Sequence, residues 1–579
     1  PRGQPPDGGR GPGGGGVKIL FVERDVEYID PMNIELLSAL ARRQGASTFL
    51  TILAVDDLEA DLRRIRPDVV AFSAKTGEHT AYCRANRQVK AHSASIRTIM
   101  GGPHPTFFPG LILREPFDAL ALGEADEAWG EWLDAVAAGR SPHWIPNIVT
   151  PDNAHRVLRG RKTAPPAVAR TGAPVAQHPM TELTVQPDHL RPKRQTLDDL
   201  PFGDRELIYR HTHLRDFPMR SVMASRGCPF TCTYCFQPQF NVLYAGKGPI
   251  YTRFSVPRLC AELKELKERW PTRFIKFYDD MFILHRGAEP WLEEFAEVYP
   301  REVGLPFFCL TRCNVLTPEN LALLKRAGLH SLTMSIEAGN AYVRNEIVQR
   351  HMTEEQIRAA YALCEREGIV TFANTLLGIP LRADVMARQG KTALDYDLES
   401  LDLNIACHVT YAEFPVLHPY PGCELTAYAV HNGFFDGDFD RLFYSYQAES
   451  PFRCFSPQEV RQQKNLSLLG PVCVLFPRAR WLRTLTVRWL IRWPLTPLYF
   501  WPWYLTKAYL NIFRLYPVRL SVWGLLRNLP YSLRREWRKR APARAVYQRQ
   551  DRARVPTLGG PPPRLQMAPP QVARSAWFR

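Results

Sequence analysis

Short apolar runs and amphipathic stretches alternate twice along this chain, and that rhythm limits the fold more than any other feature. The first series opens at Val17–Val22, an apolar run bounded by turn residues, as in a strand buried on both faces. Helical periodicity follows through Ile34, Leu36, Leu37 and Leu40 and stops at Gly45. Strands at Thr48–Leu53, Asp68–Ser73, Ile96–Met100 and Ala119–Leu122 alternate with helices at Leu58–Ile65, Ala81–His92 and Glu127–Ala137. A strand about every 25 residues predicts a doubly wound, Rossmann-like α/β domain over residues 17–140.

The second series has strands at Arg220–Ser225, Ile275–Tyr278, Phe307–Leu310, Ser331–Ile336, Val370–Leu376 and Asn404–Val409. Helices at Val256–Trp270, Glu289–Val298, Pro318–Ala327 and Glu354–Glu367 separate them. This pattern predicts a partial (β/α)6 TIM-type barrel over residues 206–430. Both architectures place ligands at the carboxyl ends of their strands.

The remaining segments differ in composition. Residues 1–16 are nearly all Gly, Pro and polar groups, and 541–579 are Pro/Arg-rich, so both are expected to be disordered tails. Residues 141–205, Pro-rich and without periodicity, are expected to be a linker. Residues 431–540 are expected to be mostly helical, basic and aromatic. The net charge of +16 belongs to the C-terminal end: residues 478–540 hold 14 Lys and Arg against one acid, Glu536. Residues 541–579 hold seven against Asp551, which leaves residues 1–477 near −3. Twelve cysteines without regular pairing, and no apolar leader at the start, predict a reducing, cytoplasmic setting.

The first strand of the second series runs straight into Arg226-Gly-Cys-Pro-Phe-Thr-Cys-Thr-Tyr-Cys-Phe236. The spacing C-x3-C-x2-C puts the thiols of Cys228, Cys232 and Cys235 on one loop, enough for three corners of an iron–sulfur cube. The fourth iron then lacks a protein ligand, and an open position is where a small molecule reacts. A structural zinc site wants a fourth ligand close by, and neither Cys nor His follows in the next twenty residues. A zinc loop and three unrelated buried thiols remain the alternatives on spacing alone.

With its flanks, the cysteine run resembles the signature of the radical S-adenosylmethionine (radical SAM) superfamily. The resemblance implies that the open iron is chelated by S-adenosylmethionine, which is then split to a 5′-deoxyadenosyl radical. It also implies contacts to that molecule from Tyr234, Asp279, Asp280, Arg312, Ser335, Glu337 and Gly378, which fall at strand ends. Arg312 suits its carboxylate, and Gly378 suits close approach of a nucleoside to the backbone. Pro419–Leu425 resembles a late turn of these barrels, with Cys423 at a position usually held by Thr. Cys83, Cys260, Cys309, Cys313, Cys364 and Cys407 sit in apolar contexts and read as buried thiols.

The first domain resembles the cobalamin-binding module that precedes the barrel in one large group of these enzymes. The likeness rests on Gly101-Gly-Pro-His-Pro-Thr-Phe-Phe-Pro109 and on Gly123-Glu124. It implies cobalamin contacts from Ser73, Thr76, Gly77, Gly101, Gly102, His104, Thr106, Gly123 and Glu124. The D-x-H-x-x-G motif, whose histidine ligates cobalt elsewhere, is absent. A vestigial scaffold without cofactor is the alternative.

Residues 471–540 hold seven of the 13 tryptophans, mixed with Lys and Arg. The charge-free stretch Trp493–Thr506 is 14 residues with three prolines, short of the ~20 a spanning helix needs. Peripheral membrane contact through 481–540 is expected, with a helical cap over the barrel as the alternative and no nucleic acid. The resemblance implies a [4Fe-4S] cluster, S-adenosylmethionine, cobalamin and an external electron donor of flavodoxin or ferredoxin type. It points to methylation of an unactivated carbon in a hydrophobic or lipid-like small molecule. The alternatives are oxidative ring closure, as in anaerobic porphyrin cyclases, and a cluster- or cobalamin-based sensor.

Overall fold

The computed structural model describes residues 16–160, 183–284, 286–287, 289–442, 449–518, 529–530 and 532–533. The expected tails at 1–16 (apart from Gly16) and 541–579 lie outside these residues.

The first sheet contains β1 (Lys18–Glu23), β2 (Ser47–Ile52), β3 (Val69–Ser73), β4 (Arg97–Gly101), β5 (Ala119–Ala121) and β6 (Ile148–Val149), in the order β2-β1-β3-β4-β5-β6. The first five are parallel, and β6 runs antiparallel to β5 with Ala121 opposite Ile148. Ile19 through Val22 are fully buried because the sheet is covered on both faces. Ile19 and Phe21 pack in one layer with Trp129 and Ile34; Leu20 and Val22 pack in the other with Leu62 and Val89. Helices Met32–Arg43 and Asp126–Ala137 therefore cover one face, and Leu58–Ile65 and His79–His92 the other.

The segment expected as a linker does more than connect. Beyond supplying β6, it continues into β7 (Leu158–Gly160), which pairs antiparallel with β8 (Leu183–Val185). Two-residue and three-residue strands leave too short a period to be seen in sequence.

The second unit begins at β9 (Met219–Val222), followed by the short antiparallel pair β10 (Ser225–Arg226) and β11 (Thr252–Arg253). Its main sheet continues through β12 (Phe274–Phe277), β13 (Phe307–Thr311), β14 (Leu329–Met334), β15 (Val370–Asn374) and β16 (Tyr411–Glu413). Six parallel strands stand in sequential order from β9 to β16, and no pairing among the described residues joins the two ends. The sixth strand is a correction. Asn404–Val409 is not extended: helix Ala393–Ala406, opened by a Thr392–Asp395 capping box, runs through most of it. The apolar residues there are the buried face of that helix, and Asn404 bridges Thr375 Oγ1 (2.9 Å) and Ser400 O (2.8 Å).

Met219, Phe274 and Phe308, at the beginnings of three strands, pack with Leu510, Leu515 and Tyr516. Ser331 Oγ donates to Leu515 O at 2.7 Å, so the C-terminal segment closes the end of the sheet opposite the site. Among the described residues, the C-terminal region also contains helices Pro457–Leu475, Arg480–Arg488 and Thr496–Tyr509, the first lying against β16 and helix Ala393–Ala406.

Candidate active site

Strand β9 delivers the chain to β10, whose Arg226 pairs with Asp126 Oδ2 of the first domain at 2.5 Å. Gly227 follows at φ +92°, where a Cβ would stand 2.0 Å from Ile250 O, so glycine is required to turn the chain into the cysteine loop. Cys232 is 5% exposed, while Cys228 and Cys235 are partly open. The backbone amides of Phe230 and Gln237 donate to the sulfurs of Cys228 and Cys235, yet burial pushes those thiols up to about 11 and about 12. Three thiols on one loop, two of them partly open, give a donor set that fits an iron–sulfur cluster. Among the described residues, no three His, Cys, Asp or Glu side chains are gathered about a single metal ion.

Two guanidinium groups converge on Cys232. Arg312 Nη1 lies 3.2 Å from its sulfur and Arg350 Nη1 3.6 Å, and Arg312 also stacks on Phe230. Arg350 donates further to Tyr234 OH (3.2 Å) and Ser335 O (2.8 Å), and Tyr234 OH donates to Glu337 Oε1 (2.8 Å). One polar network thus holds Tyr234, Arg312, Ser335 and Glu337 against the cysteine loop. Burial raises the Glu337 carboxyl, with Arg350, Tyr234 and Ser335 opposing it. Glu337 also sits at φ +64°, a left-handed conformation that costs roughly 1–3 kcal/mol in a non-glycine residue and clusters at functional sites.

Asp279 and Asp280 diverge. Asp280 accepts from Gln237 and feels Cys228 and Cys235, so it faces the loop. Asp279, 1% exposed and pushed up to about 7 by burial, accepts instead from Ser225 Oγ and the backbone there, tying down the strand that leads into the loop. Gly378 adopts φ +67°, but the space above its Cα is filled: a Cβ would meet Gln463 Oε1 at 2.9 Å. The positive φ accounts for the glycine, and the Gln463 side chain from helix Pro457–Leu475 lies over it.

Sequence reasoning missed Arg350 and Gln463. Arg350 lies in a loop between two left-handed residues, Gln349 and His351, where no periodicity marks it. Gln463 is 2% exposed, and neither amide atom has a partner among the described residues; its approach to Gly378 depends on a contact across 85 residues.

On the first domain, the loops after β3, β4 and β5 meet the cysteine loop across a cavity of about 510 Å³. Ser73, Gly101, Gly102, Gly123 and Glu124 line it from one side, and Met223, Gly227, Phe236, Gln237 and Asp280 from the other. Gly102, at φ +98° with a Cβ position 2.7 Å from Ala74 O, admits no side chain. Thr76, Gly77, His104 and Thr106 stand behind this wall. His104 is fully buried, stacks on His79 at 3.8 Å and bonds Thr76 Oγ1 through Nδ1 (3.0 Å); burial holds it well below the ordinary imidazole range. Thr106 donates to Gly102 O and accepts from Gly123 N, both at 2.9 Å, bracing the two glycine loops. The described lining contains no histidine. A largely apolar cavity floored by glycine backbone fits a flat macrocycle such as cobalamin.

Tyr244, at the end of the helix that follows the cysteines, locks the two units together. Its hydroxyl accepts from Glu124 N (2.8 Å) and Asn147 Nδ2 (3.1 Å).

Residues 222–386 match the Radical SAM superfamily, and residues 21–132 match the B12 binding domain. This chain joins a radical SAM domain to a B12-binding domain. Together the two domains imply a [4Fe-4S] cluster, S-adenosylmethionine and cobalamin. An uncharacterized methyltransferase of Pyrococcus horikoshii is 25% identical over 411 residues, 69% of this chain and 79% of that protein. An anaerobic magnesium-protoporphyrin IX monomethyl ester cyclase of Rubrivivax gelatinosus is 25% identical over 359 residues, 60% and 57%. A hopanoid C-3 methylase of Methylococcus capsulatus is 26% identical over 323 residues, 54% of each. This chain thus spans little more than half the length of the latter two. Among solved structures, the radical S-adenosylmethionine methyltransferase TsrM of Kitasatospora setae shares the fold, with a TM-score of 0.52, 17% identity, and coverage of 71% and 75%.

In a radical SAM enzyme, hydrogen bonds and charge at the cluster sulfurs set the reduction potential. Replacing Arg350 with Gln removes one cation beside Cys232. The expected result is a more negative midpoint in a potentiometric EPR titration, with iron content unchanged; an unmoved midpoint contradicts the assignment.

Proposed function

We propose that this enzyme methylates an unactivated carbon of a hydrophobic, lipid-like small molecule. The observation that carries this reading is the single cavity shared by Gly101, Gly102 and Gly123 of the B12-binding domain and by Gly227, Gln237 and Asp280 beside the cysteines. Groups held by these two walls would both open onto the one cavity. When bound, the cluster with S-adenosylmethionine supplies a carbon-centred oxidant of C–H bonds, and cobalamin supplies methyl.

The chain's own residues position and shield. Arg350, Tyr234 and Glu337 hold a fixed polar rim at the cysteine loop, and Arg226 with Asp126 fixes its distance from the glycine loops. Phe236 and Phe240 present apolar surface to the cavity, which favours an apolar substrate and excludes water. A flavodoxin or ferredoxin is the donor this reading requires, and peripheral membrane contact through 481–540 belongs to it.

Oxidative ring closure is the second reading, supported by the likeness to the Rubrivivax cyclase. Mass separates them. The enzyme, loaded anaerobically and given S-adenosylmethionine, reductant and a total lipid extract, is expected to yield a product heavier by one CH2 unit, with 5′-deoxyadenosine. Loss of hydrogen without added carbon supports cyclisation, and absence of both products supports a sensor.

A further inference from the structure

We propose that helices Arg480–Arg488 and Thr496–Tyr509 form a docking face for an anionic phospholipid bilayer, with Arg488 and Arg492 gripping a lipid phosphate. This deepens the membrane-contact part of the functional reading and is independent of the reaction catalysed.

Helix Thr496–Tyr509 is apolar on both sides. Tyr499, Phe500, Trp503 and Tyr504 pack into the protein. The opposite side carries Leu498 (61% exposed), Trp501 (51%), Leu505 (64%) and Tyr509 (46%), spaced three and four apart so that they share one stripe. Phe513 extends it. A helix that is hydrophobic all round belongs in an apolar environment on all sides, and the described residues cover only one.

Helix Arg480–Arg488 repeats the arrangement, with Trp481 (68% exposed), Leu485 and Trp489 in one row and Trp493 just beyond. Together these side chains expose on the order of 1,000 Å² of largely apolar surface. Tryptophan, with its apolar body and single N–H donor, suits the depth of lipid headgroups.

Charge selects the kind of surface. Between residues 478 and 518 there is no Asp or Glu. Arg483 and Lys507 turn inward, to Asp402 and Glu413. Arg478, Arg480, Arg488 and Arg492 are exposed and make no ion pair among the described residues. Arg488 and Arg492, one helical turn apart in sequence, line a crevice of about 420 Å³ with Trp489 and Trp493. Two guanidinium groups between two indole rings suit a phosphate whose acyl chains lie among the aromatics. No described helix is long and apolar enough to cross a membrane, so the contact is with one leaflet.

The test is sedimentation of the full-length, anaerobically loaded protein with vesicles of pure phosphatidylcholine or of phosphatidylcholine with 30% phosphatidylglycerol, without substrate. Binding to the anionic vesicles is expected to be at least tenfold tighter. R488Q/R492Q should lower the anionic preference at least fivefold, and W489S/W501S should abolish binding to both. Both variants lie on the surface, and retained iron and cobalamin will show that they fold. Equal binding by the variants, or no binding by the wild type, overturns the proposal. So does a concentration-dependent dimer that buries Trp489, or displacement from vesicles by single-stranded DNA through the same arginines. Failure here leaves methyl transfer untouched, because no turnover is measured.

Discussion

Anaerobically reconstituted Cys235→Ala is expected to hold less than a tenth of the wild-type iron, to lack the brown colour, and to form no 5′-deoxyadenosine. Cys228→Ala and Cys232→Ala should behave alike, since a cube gripped at three corners loses most of its affinity when one is removed. Burial has a second consequence. The thiols of Cys228 and Cys235 are pushed up to about 11 and about 12, so loading releases protons and should slow as pH falls below neutral. The informative contrast is with other buried cysteines. Cys309, on β13 itself, is fully buried in the core, and Cys309→Ala should keep its iron. A Cys235→Ala protein with full iron, or a Cys309→Ala protein without it, contradicts the assignment of the loop.

The second large effect is expected on the other side of the cavity. Gly101→Phe should lose at least nine-tenths of bound cobalamin while retaining its iron. Gly101 lines the cavity at the end of β4, and a Cβ there meets only Ala121, at an ordinary 3.7 Å. The side chain can therefore be added without straining the loop, and its ring must occupy space that the macrocycle needs. Gly102 is unsuitable for this test, because its Cβ would strike Ala74 and distort the backbone. Cobalamin is read from the visible spectrum of the purified protein after reconstitution, and iron by chemical assay on the same sample. Unchanged cobalamin content would place the cofactor elsewhere; joint loss of iron would mean that the substitution unfolds the chain.

The parts of this architecture visible in sequence are those set by local rules. Strand β1 reads from its apolar run because both faces are buried, and helix Pro318–Ala327 reads from Thr317 and Pro318 at its start and Gly328 at its end. The cysteine triplet reads because one loop holds all three ligands. What was hidden depends on contacts between distant segments. Asn404–Val409 looks extended because a buried helical end and a buried strand share the same composition; only the Thr392 cap, a dozen residues upstream, decides it. Gly378 signals an unusual backbone, but the occupant of the space above it, Gln463, comes from a helix outside the barrel. His104 and Thr106 brace a loop at the cavity without lining it, since a brace and a contact look the same in a motif. Arg350 joins Cys232 to Tyr234 from a loop with no periodic signal at all.

Among the described residues, Cys423 is a rival for the fourth position of the three-cysteine loop. Cys423 is fully enclosed, lies near Cys235, and donates its thiol hydrogen to Tyr234 O at 3.3 Å. EPR of the reduced, reconstituted protein with and without S-adenosylmethionine decides between them. If one iron is open, adding S-adenosylmethionine shifts the cluster signal, and it does so equally in Cys423→Ala. A wild-type spectrum that ignores saturating S-adenosylmethionine, and responds only once Cys423 is removed, would mean that the polypeptide claims all four irons.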